Sequence, residues 1–452
     1  IENFLCRAEA DNVVFSPLFA EKFRDVAARH PEIAFIPMAG AADAPYYKSM
    51  EEVESIGTGR PHDPSSPSDM DRLAVFTSGT TGTSKCVMLS EKNICAAINS
   101  ACEAVDFFPR DVLVSVLPIH HTYELCCSLA AANYGCEIAI NDSLRHCMRN
   151  FQTFRPTALV LVPLFLTTMD KKVWDEIRKK GVESAVRGLM KLSDGTRKIG
   201  LDPRRLLFRD ILAAFGGRLE KIICGGAPLD PKIAADFRSL GIEVWEGYGI
   251  TECSPLIAVD VYYHSKPGSV GPAVTSCMVR IEDAVTDEDG HDIGEICVKG
   301  KNVMLGYYKD EAATADAFTA DGWFRTGDLG YLDDEGYIYI TGRKKSVIVL
   351  ENGKNVFPEE IEEYLASVDK IAECVVVGRK NGRETVLTAV VFPNAEKFEA
   401  DTPESEMLAA VRADVNKLNR RLVGYKQVRN VELRTTPFEK TTSMKIKRHL
   451  VK

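Results

Sequence analysis

The densest chemistry in the chain lies in Thr77-Ser78-Gly79-Thr80-Thr81-Gly82-Thr83-Ser84-Lys85, where every position but the last is a hydroxyl residue or glycine. Glycine opens backbone conformations barred to other residues, so main-chain N–H groups can come close to a ligand. Those N–H groups and the hydroxyls are short donors for phosphate oxygens, and Lys85 adds a positive charge. The preceding Leu73-Ala74-Val75-Phe76 is a continuous apolar run and predicts a buried strand. A flexible linker has a similar composition, but a linker is not normally gripped by a strand and closed by a lysine. A Walker A loop is excluded, because only Thr80 and Thr81 separate the glycines and Lys85 does not follow one.

Other residues invite chemistry, each with a plainer competitor. Glu252 closes Glu246-Gly247-Tyr248-Gly249-Ile250-Thr251-Glu252, which lacks the third glycine of a dinucleotide fingerprint and has no suitable helix after it. Here Tyr248 could stack on adenine, Thr251 could bond an α-phosphate and Glu252 could hold Mg²⁺. An exposed carboxylate in a turn is the bland alternative. Asp328 follows Thr326-Gly327, and an ionised carboxylate offers two acceptor oxygens to a pair of ribose hydroxyls. Gly-Asp pairs are also ordinary turn formers. Arg343, just past a strand predicted at 337–340, could bind ribose or phosphate, or be surface charge. His120 and His121 follow Leu117-Pro118-Ile119. Adjacent residues on a strand face opposite sides, so this pair is not expected to form one metal site. A packed and bonded core histidine competes with any chemical role.

The phosphate-loop stretch resembles the signature of the adenylate-forming superfamily: acyl-CoA synthetases, adenylation domains of peptide synthetases and firefly-type luciferases. Further segments follow in the order that superfamily requires. They are Ile222-Ile223-Cys224-Gly225-Gly226-Ala227-Pro228-Leu229, Tyr248-Gly249-Ile250-Thr251-Glu252, Trp323-Phe324-Arg325-Thr326-Gly327-Asp328, Gly342-Arg343-Lys344-Lys345 and Lys440-Thr441-Thr442-Ser443-Met444-Lys445-Ile446-Lys447-Arg448. The likeness covers most of the chain. The Pro118-x-His120-His121-x-Tyr123-Glu124 pattern and the long helical insert before Gly225 most resemble the long-chain acyl-CoA synthetase branch.

The resemblance implies ATP-dependent, AMP-forming activation of a medium- or long-chain fatty acid. The carboxylate attacks the α-phosphate of Mg·ATP, pyrophosphate leaves, and the thiol of coenzyme A then displaces AMP from the acyl-AMP. Thr77, Ser78, Gly79, Thr80, Thr81, Gly82 and Lys85 are implied to grip the β- and γ-phosphates. Gly225, Gly226, Ala227 and Pro228, with Tyr248, are implied to frame adenine, and Gly249 to belong to the same cofactor site. Asp328 is implied to take the ribose, Arg343 ribose or phosphate, Thr251 the α-phosphate and Glu252 the metal. His121 lies between the acyl pocket and the nucleotide. Lys445 is implied as the cation delivered to the reacting oxygens, with Met444 where the family often has glycine. Lys345 is the implied hinge, and Gly353 lines the pantetheine channel. Three alternatives stay open: transfer to an acyl carrier protein, activation of an aryl or amino acid, and a catalytically silent nucleotide-binding homologue. Relatives serving carrier proteins commonly carry an insertion near the hinge, and 342–360 shows none. Glu252, Asp328, Arg343 and Lys445 together argue against silence.

A chain of 452 residues with 45% apolar content can bury a large core and should form more than one domain. Strand–helix alternation with continuous apolar strands predicts an α/β fold with parallel sheets covered on both faces. From about residue 270 the pattern turns β-rich. The expected division is a large domain over 1–343 and a small mobile α/β domain over 344–452. The net charge of −9 argues against a nucleic-acid partner, although 417–452 holds eleven Lys/Arg. Thirteen cysteines without a C-x-x-C pair point to reduced thiols and a cytoplasmic setting. No apolar run approaches the roughly 20 residues that span a bilayer, and peripheral membrane contact is left open. Only 76 residues precede the phosphate loop, fewer than the superfamily usually carries. A truncated N-terminus is expected.

Overall fold

The structure, a computed structural model, describes residues 1–38, 53, 55, 71–77, 84–197, 199–260, 264–351, 354–382, 384–399, 401–440 and 446–451. Ser78, Gly79, Thr80, Thr81, Gly82, Gly353 and Lys445 lie outside the described residues.

A six-stranded sheet organises the large domain, in the order Leu256–Val259, Glu243–Gly249, Lys221–Gly225, Ala158–Leu161, Val112–Ser115, Glu137–Ile140. Every pairing is parallel except that of the edge strand Leu256–Val259. Strands Ala158–Leu161 and Lys221–Gly225 are buried throughout, and Val112–Ser115 is buried except at Ser115, because helices cover both faces, which is why their sequences run apolar without alternation. Val114, Leu159, Leu161, Ile222 and Val244 pack with Phe151, Leu166 and Phe237 of the helices, and with Phe215 of a following turn, on one face. Leu113, Val160, Ile223 and Trp245 pack with Val105 and Ala131 on the other. The period-2 alternation of strand side chains divides one apolar run between two cores.

The phosphate loop is held differently from the sequence expectation. Asp71–Thr77 and Lys85–Ser90 form an antiparallel hairpin with Thr77 opposite Lys85, so the loop joins two strands. Asp71–Thr77 is the outer strand of a three-stranded sheet whose middle strand is Lys85–Ser90. Residues 73–76 are therefore not a buried strand: Ala74 is exposed and its neighbours are half-buried. An outer strand has a neighbouring strand on one side only, which an unbroken apolar run does not reveal.

The β-rich part is an antiparallel sheet of Cys277–Thr286, Asp292–Gly300, Phe324–Leu332 and Ile338–Arg343. The C-terminal part has its own core, where helices Pro358–Ala366 and Glu404–Asn419 cover strands Ile371–Asn381, Glu384–Pro393 and Asn430–Leu433. All thirteen cysteines are free thiols. No helix among the described residues is long and apolar enough to cross a membrane.

A buried ion pair pins the amino ends of the central strands. Lys221 Nζ lies 2.9 Å from Asp111 Oδ2, and Asp111 also accepts from the Thr157 hydroxyl at 2.8 Å and the Phe108 N–H at 2.9 Å. Removing one partner leaves an uncompensated buried charge, so Asp111→Ala should destabilise the fold by about 3 kcal/mol in urea unfolding. A change within the scatter of surface substitutions would remove the pair from the stability account. Burial pushes the Asp111 carboxyl up, but Lys221, Thr157 and Phe108 outweigh it and the group ends below its ordinary value. Its contribution should be complete above the ordinary value and disappear as the pH falls through the depressed one.

Candidate active site at the carboxyl ends of the strands

The parallel strands deliver their carboxyl ends to one rim, where open α/β sheets bind ligands. A continuous cavity of about 3090 Å³ opens there, and its wall includes Thr77, Ser84, Lys85, His120, His121, Gly226, Ala227, Gly249, Thr251, Glu252 and Arg343. Tyr248, Asp328, Gly225 and Pro228 are not on that wall. Two glycines have a clear structural reason. Gly226 turns out of its strand with φ +86°. A Cβ on Gly249 would stand 1.9 Å from the Pro255 carbonyl oxygen, so only glycine lets the returning chain come so close.

Glu252 sits in the 3-10 turn Thr251–Cys253. Its Oε1 accepts from the Tyr307 hydroxyl at 3.0 Å, and its carbonyl accepts from the Met304 N–H at 2.8 Å. No described residue bonds its other carboxylate oxygen, which suits Mg²⁺: that ion takes one or two protein carboxylates and fills its shell with phosphates and water. Lys85 Nζ lies 4.2 Å from the centre of the Tyr307 ring. At the loop's end, Arg7 of helix Glu2–Ala8 donates to the Ser84 carbonyl at 2.7 Å.

Asp328 is 4% exposed and engaged on both sides. Arg343 Nε lies 2.6 Å from Oδ1, and the Tyr248 hydroxyl donates to Oδ2 at 2.8 Å. Asp328 and Arg343 are cross-strand neighbours in the β-rich sheet, which brings them together. Burial pushes the Tyr248 hydroxyl well above its ordinary value and Asp328 adds to the shift, so Tyr248 remains a donor. Both Asp328 oxygens are thus bonded within the protein.

The histidine pair is not on a strand. Strand Val112–Ser115 ends earlier, the His121 N–H donates to the Pro118 carbonyl at 3.0 Å, and helix Thr122–Asn133 begins next. In this turn the rings are 4.4 Å apart at 40°, not on opposite faces. Proline-118 and the helix start end the strand before the pair. The cavity continues between helices Pro163–Lys179, Glu183–Arg197 and Arg209–Ala213, lined by Phe165, Val173, Val186, Leu189 and Phe215.

The family model described as AMP-binding enzyme matches residues 4–308, and the one described as AMP-binding enzyme C-terminal domain matches 345–452. This chain belongs to the AMP-binding enzyme family. It is 29% identical over 412 residues to the long-chain-fatty-acid–CoA ligase FadD15 of Mycobacterium bovis, covering 83% of this chain and 66% of that protein. It is 32% identical over 365 residues to long-chain-fatty-acid–CoA ligase 6 of Mus musculus, covering 77% and 52%. The ATP-bound crystal structure of MatB from Rhodopseudomonas palustris superposes with a TM-score of 0.73 at 26% identity, covering all of this chain and 80% of that one. The chain thus spans between about half and two thirds of the length of these curated relatives.

Behind Arg343, this AMP-binding enzyme enters the 3-10 turn Lys344–Ser346, where Lys345 is exposed on the cavity wall and Lys344 Nζ donates to Glu295 at 2.8 Å. In the C-terminal part, Lys440 Nζ lies 2.6 Å from Glu373 Oε1, and Arg448 Nη1 lies 2.5 Å and 2.7 Å from the two oxygens of Glu362. Burial pushes the Glu362 carboxyl up, with Arg448 pulling it back down. Tyr307 was not legible as a site residue. An aromatic beside a glycine in a short strand reads as core, and only its register opposite Val87 brings it to Lys85 and Glu252.

Proposed function

We propose that this enzyme activates a medium- or long-chain fatty acid with Mg·ATP and transfers the acyl group to coenzyme A. One observation carries the proposal: the cavity that holds Lys85, Thr251, Glu252 and Arg343 continues between helices, where Phe165, Val173, Val186, Leu189 and Phe215 line it with charged residues such as Lys172 and Glu176 among them. A carboxylate placed where the two parts meet can attack the α-phosphorus while its hydrocarbon tail stays out of water. Pyrophosphate leaves, and a thiolate then attacks the acyl carbon and releases AMP. Positioning and charge stabilisation supply most of the help in such phosphorus chemistry. Thr77 and Lys85 hold the departing phosphates, and Mg²⁺ beside Glu252 would neutralise their charge. Arg343 and Asp328 orient the ribose, Tyr248 is held to Asp328 through its hydroxyl and not stacked in the open cavity, and Gly226, Ala227 and Gly249 on the wall stand beside the adenine. His121 separates nucleotide from acyl chain, and Gly353 belongs to the thiol's path.

The apolar side chains Phe165, Val173, Val186, Leu189 and Phe215 on the cavity wall support a fatty acid, as do the names of the relatives. Pyrophosphate exchange across fatty, aryl and amino acids tests the substrate class, and thioester assays with coenzyme A and with acyl carrier protein test the acceptor. Exchange with aryl acids alone, or acyl transfer to carrier protein alone, overturns the proposal.

The two half-reactions need different groups at the acyl phosphate, so the C-terminal domain is proposed to rotate about Lys345 between them. Lys345→Pro fixes φ near −65° and restricts the preceding residue. Thioester formation should fall much more than acyl-AMP formation in single-turnover assays. Equal losses in both, or none, count against Lys345 as the pivot.

A further inference from the structure

We infer that Tyr307 is a positioning residue that ties the phosphate-loop lysine to the metal-holding glutamate, its hydroxyl fixing Glu252 and its ring seating Lys85. The segment carrying Tyr307 is fastened to both neighbours. Gly306 and Tyr307 pair with Met88 and Val87 of the strand that begins at Lys85. The Tyr308 N–H donates to the Cys86 carbonyl at 2.8 Å. On the other side, the Met304 N–H reaches the Glu252 carbonyl at 2.8 Å. The Tyr307 N–H is itself held by the Thr314 hydroxyl at 2.9 Å. The ring is therefore fixed from a backbone tied to both charged residues.

The contacts leave the ligand-facing capacity of both groups free. The ring attracts the Lys85 ammonium through its face, and N–H donors directed away from the ring remain for phosphate oxygens. The hydroxyl occupies only Oε1 of Glu252. Tyr307 also engages the two opposite charges separately, Lys85 at its ring face and Glu252 at its hydroxyl, and among the described residues neither has an ion pair. Without a spacer, a lysine and a glutamate on one cavity wall can collapse onto each other and close the space a phosphate chain must enter.

A buried tyrosine that merely fills the core is the competing account, since Tyr307 is 6% exposed and packs with Val87, Leu89 and Ile257. Tyr307→Phe separates the two, because it keeps the packing and the ring face but loses the hydroxyl. The inference rests on the nucleotide reading above, so ATP binding is measured by calorimetry on the full chain, with Mg²⁺ and with EDTA. Wild-type protein that binds no ATP defeats that reading; the variants judge Tyr307. Tyr307→Phe should bind metal-free ATP normally and lose about tenfold of the affinity gained from Mg²⁺, the size of a hydrogen bond to a charged group. In Glu252→Gln the same change should add little. Tyr307→Leu should also weaken metal-free ATP binding, about fivefold, through loss of the Lys85 contact. Wild-type Mg·ATP affinity in Tyr307→Phe overturns the inference, and so does a full additive loss in the double variant. If Tyr307→Leu fails to fold, the Phe variant and its cycle with Glu252→Gln still decide.

Discussion

Lys445→Ala is expected to slow acyl-AMP formation by about 10²–10³-fold, the loss typical of one preorganised charge aimed at a transition state. Thioester formation from supplied acyl-AMP should stay close to normal. Negative charge builds on the α-phosphate oxygens as the carboxylate attacks, and a cation delivered there acts in the adenylating arrangement alone. The neighbouring charges are committed elsewhere. Lys440 is paired with Glu373 at 2.6 Å, Arg448 is bonded to Glu362, and Lys447 Nζ lies 3.6 Å from Glu439. Lys440→Ala and Lys447→Ala are therefore suitable controls and should adenylate far better than Lys445→Ala. Normal adenylation without Lys445 refutes its role. Damage in Lys440→Ala alone transfers the role to that residue, the outcome to watch because Met444 replaces the family's usual glycine.

Glu252→Gln is the second large effect. The amide keeps an oxygen for the Tyr307 hydroxyl, so the turn Thr251–Cys253 should hold and the melting temperature should change little. What disappears is the negative charge that a hard cation requires. Pyrophosphate exchange should fall by about 10²-fold, with the Mg²⁺ concentration for half-activity raised. Unchanged exchange at saturating Mg²⁺ removes Glu252 from the metal site.

Much of this was legible because local patterns and family motifs constrain the same segments. The apolar runs at Val112–Ser115, Ala158–Leu161 and Lys221–Gly225 are parallel strands, as continuous hydrophobicity predicts for a sheet covered on both faces. Glu91–Ala104 is a helix, and in the structure Ser90 and Asn93 cap each other's backbone N–H groups at its start. The glycine at 226 predicts a sharp turn, and the chain turns there.

The errors and omissions have one physical origin. Periodicity reports how apolar a segment is, not which neighbours complete its surroundings. Residues 73–76 look as apolar as a central strand, yet their place at a sheet edge leaves Ala74 exposed. The histidines look like a strand continuation, yet a turn from Pro118 brings their rings together. Motif order was enough to mark Asp328 and Arg343, but the 2.6 Å pair between them follows from cross-strand register. Tyr307 carries no motif at all. The sequence by itself determined the family, the element types and the motif residues, because these depend on composition, spacing and local backbone preference. The tertiary structure alone decided which side chains share an atom: Asp328 with Tyr248 and Arg343, and Glu252 with Tyr307. Such contacts join residues 15 to 80 positions apart, and only chain closure around a common core sets distances over those separations.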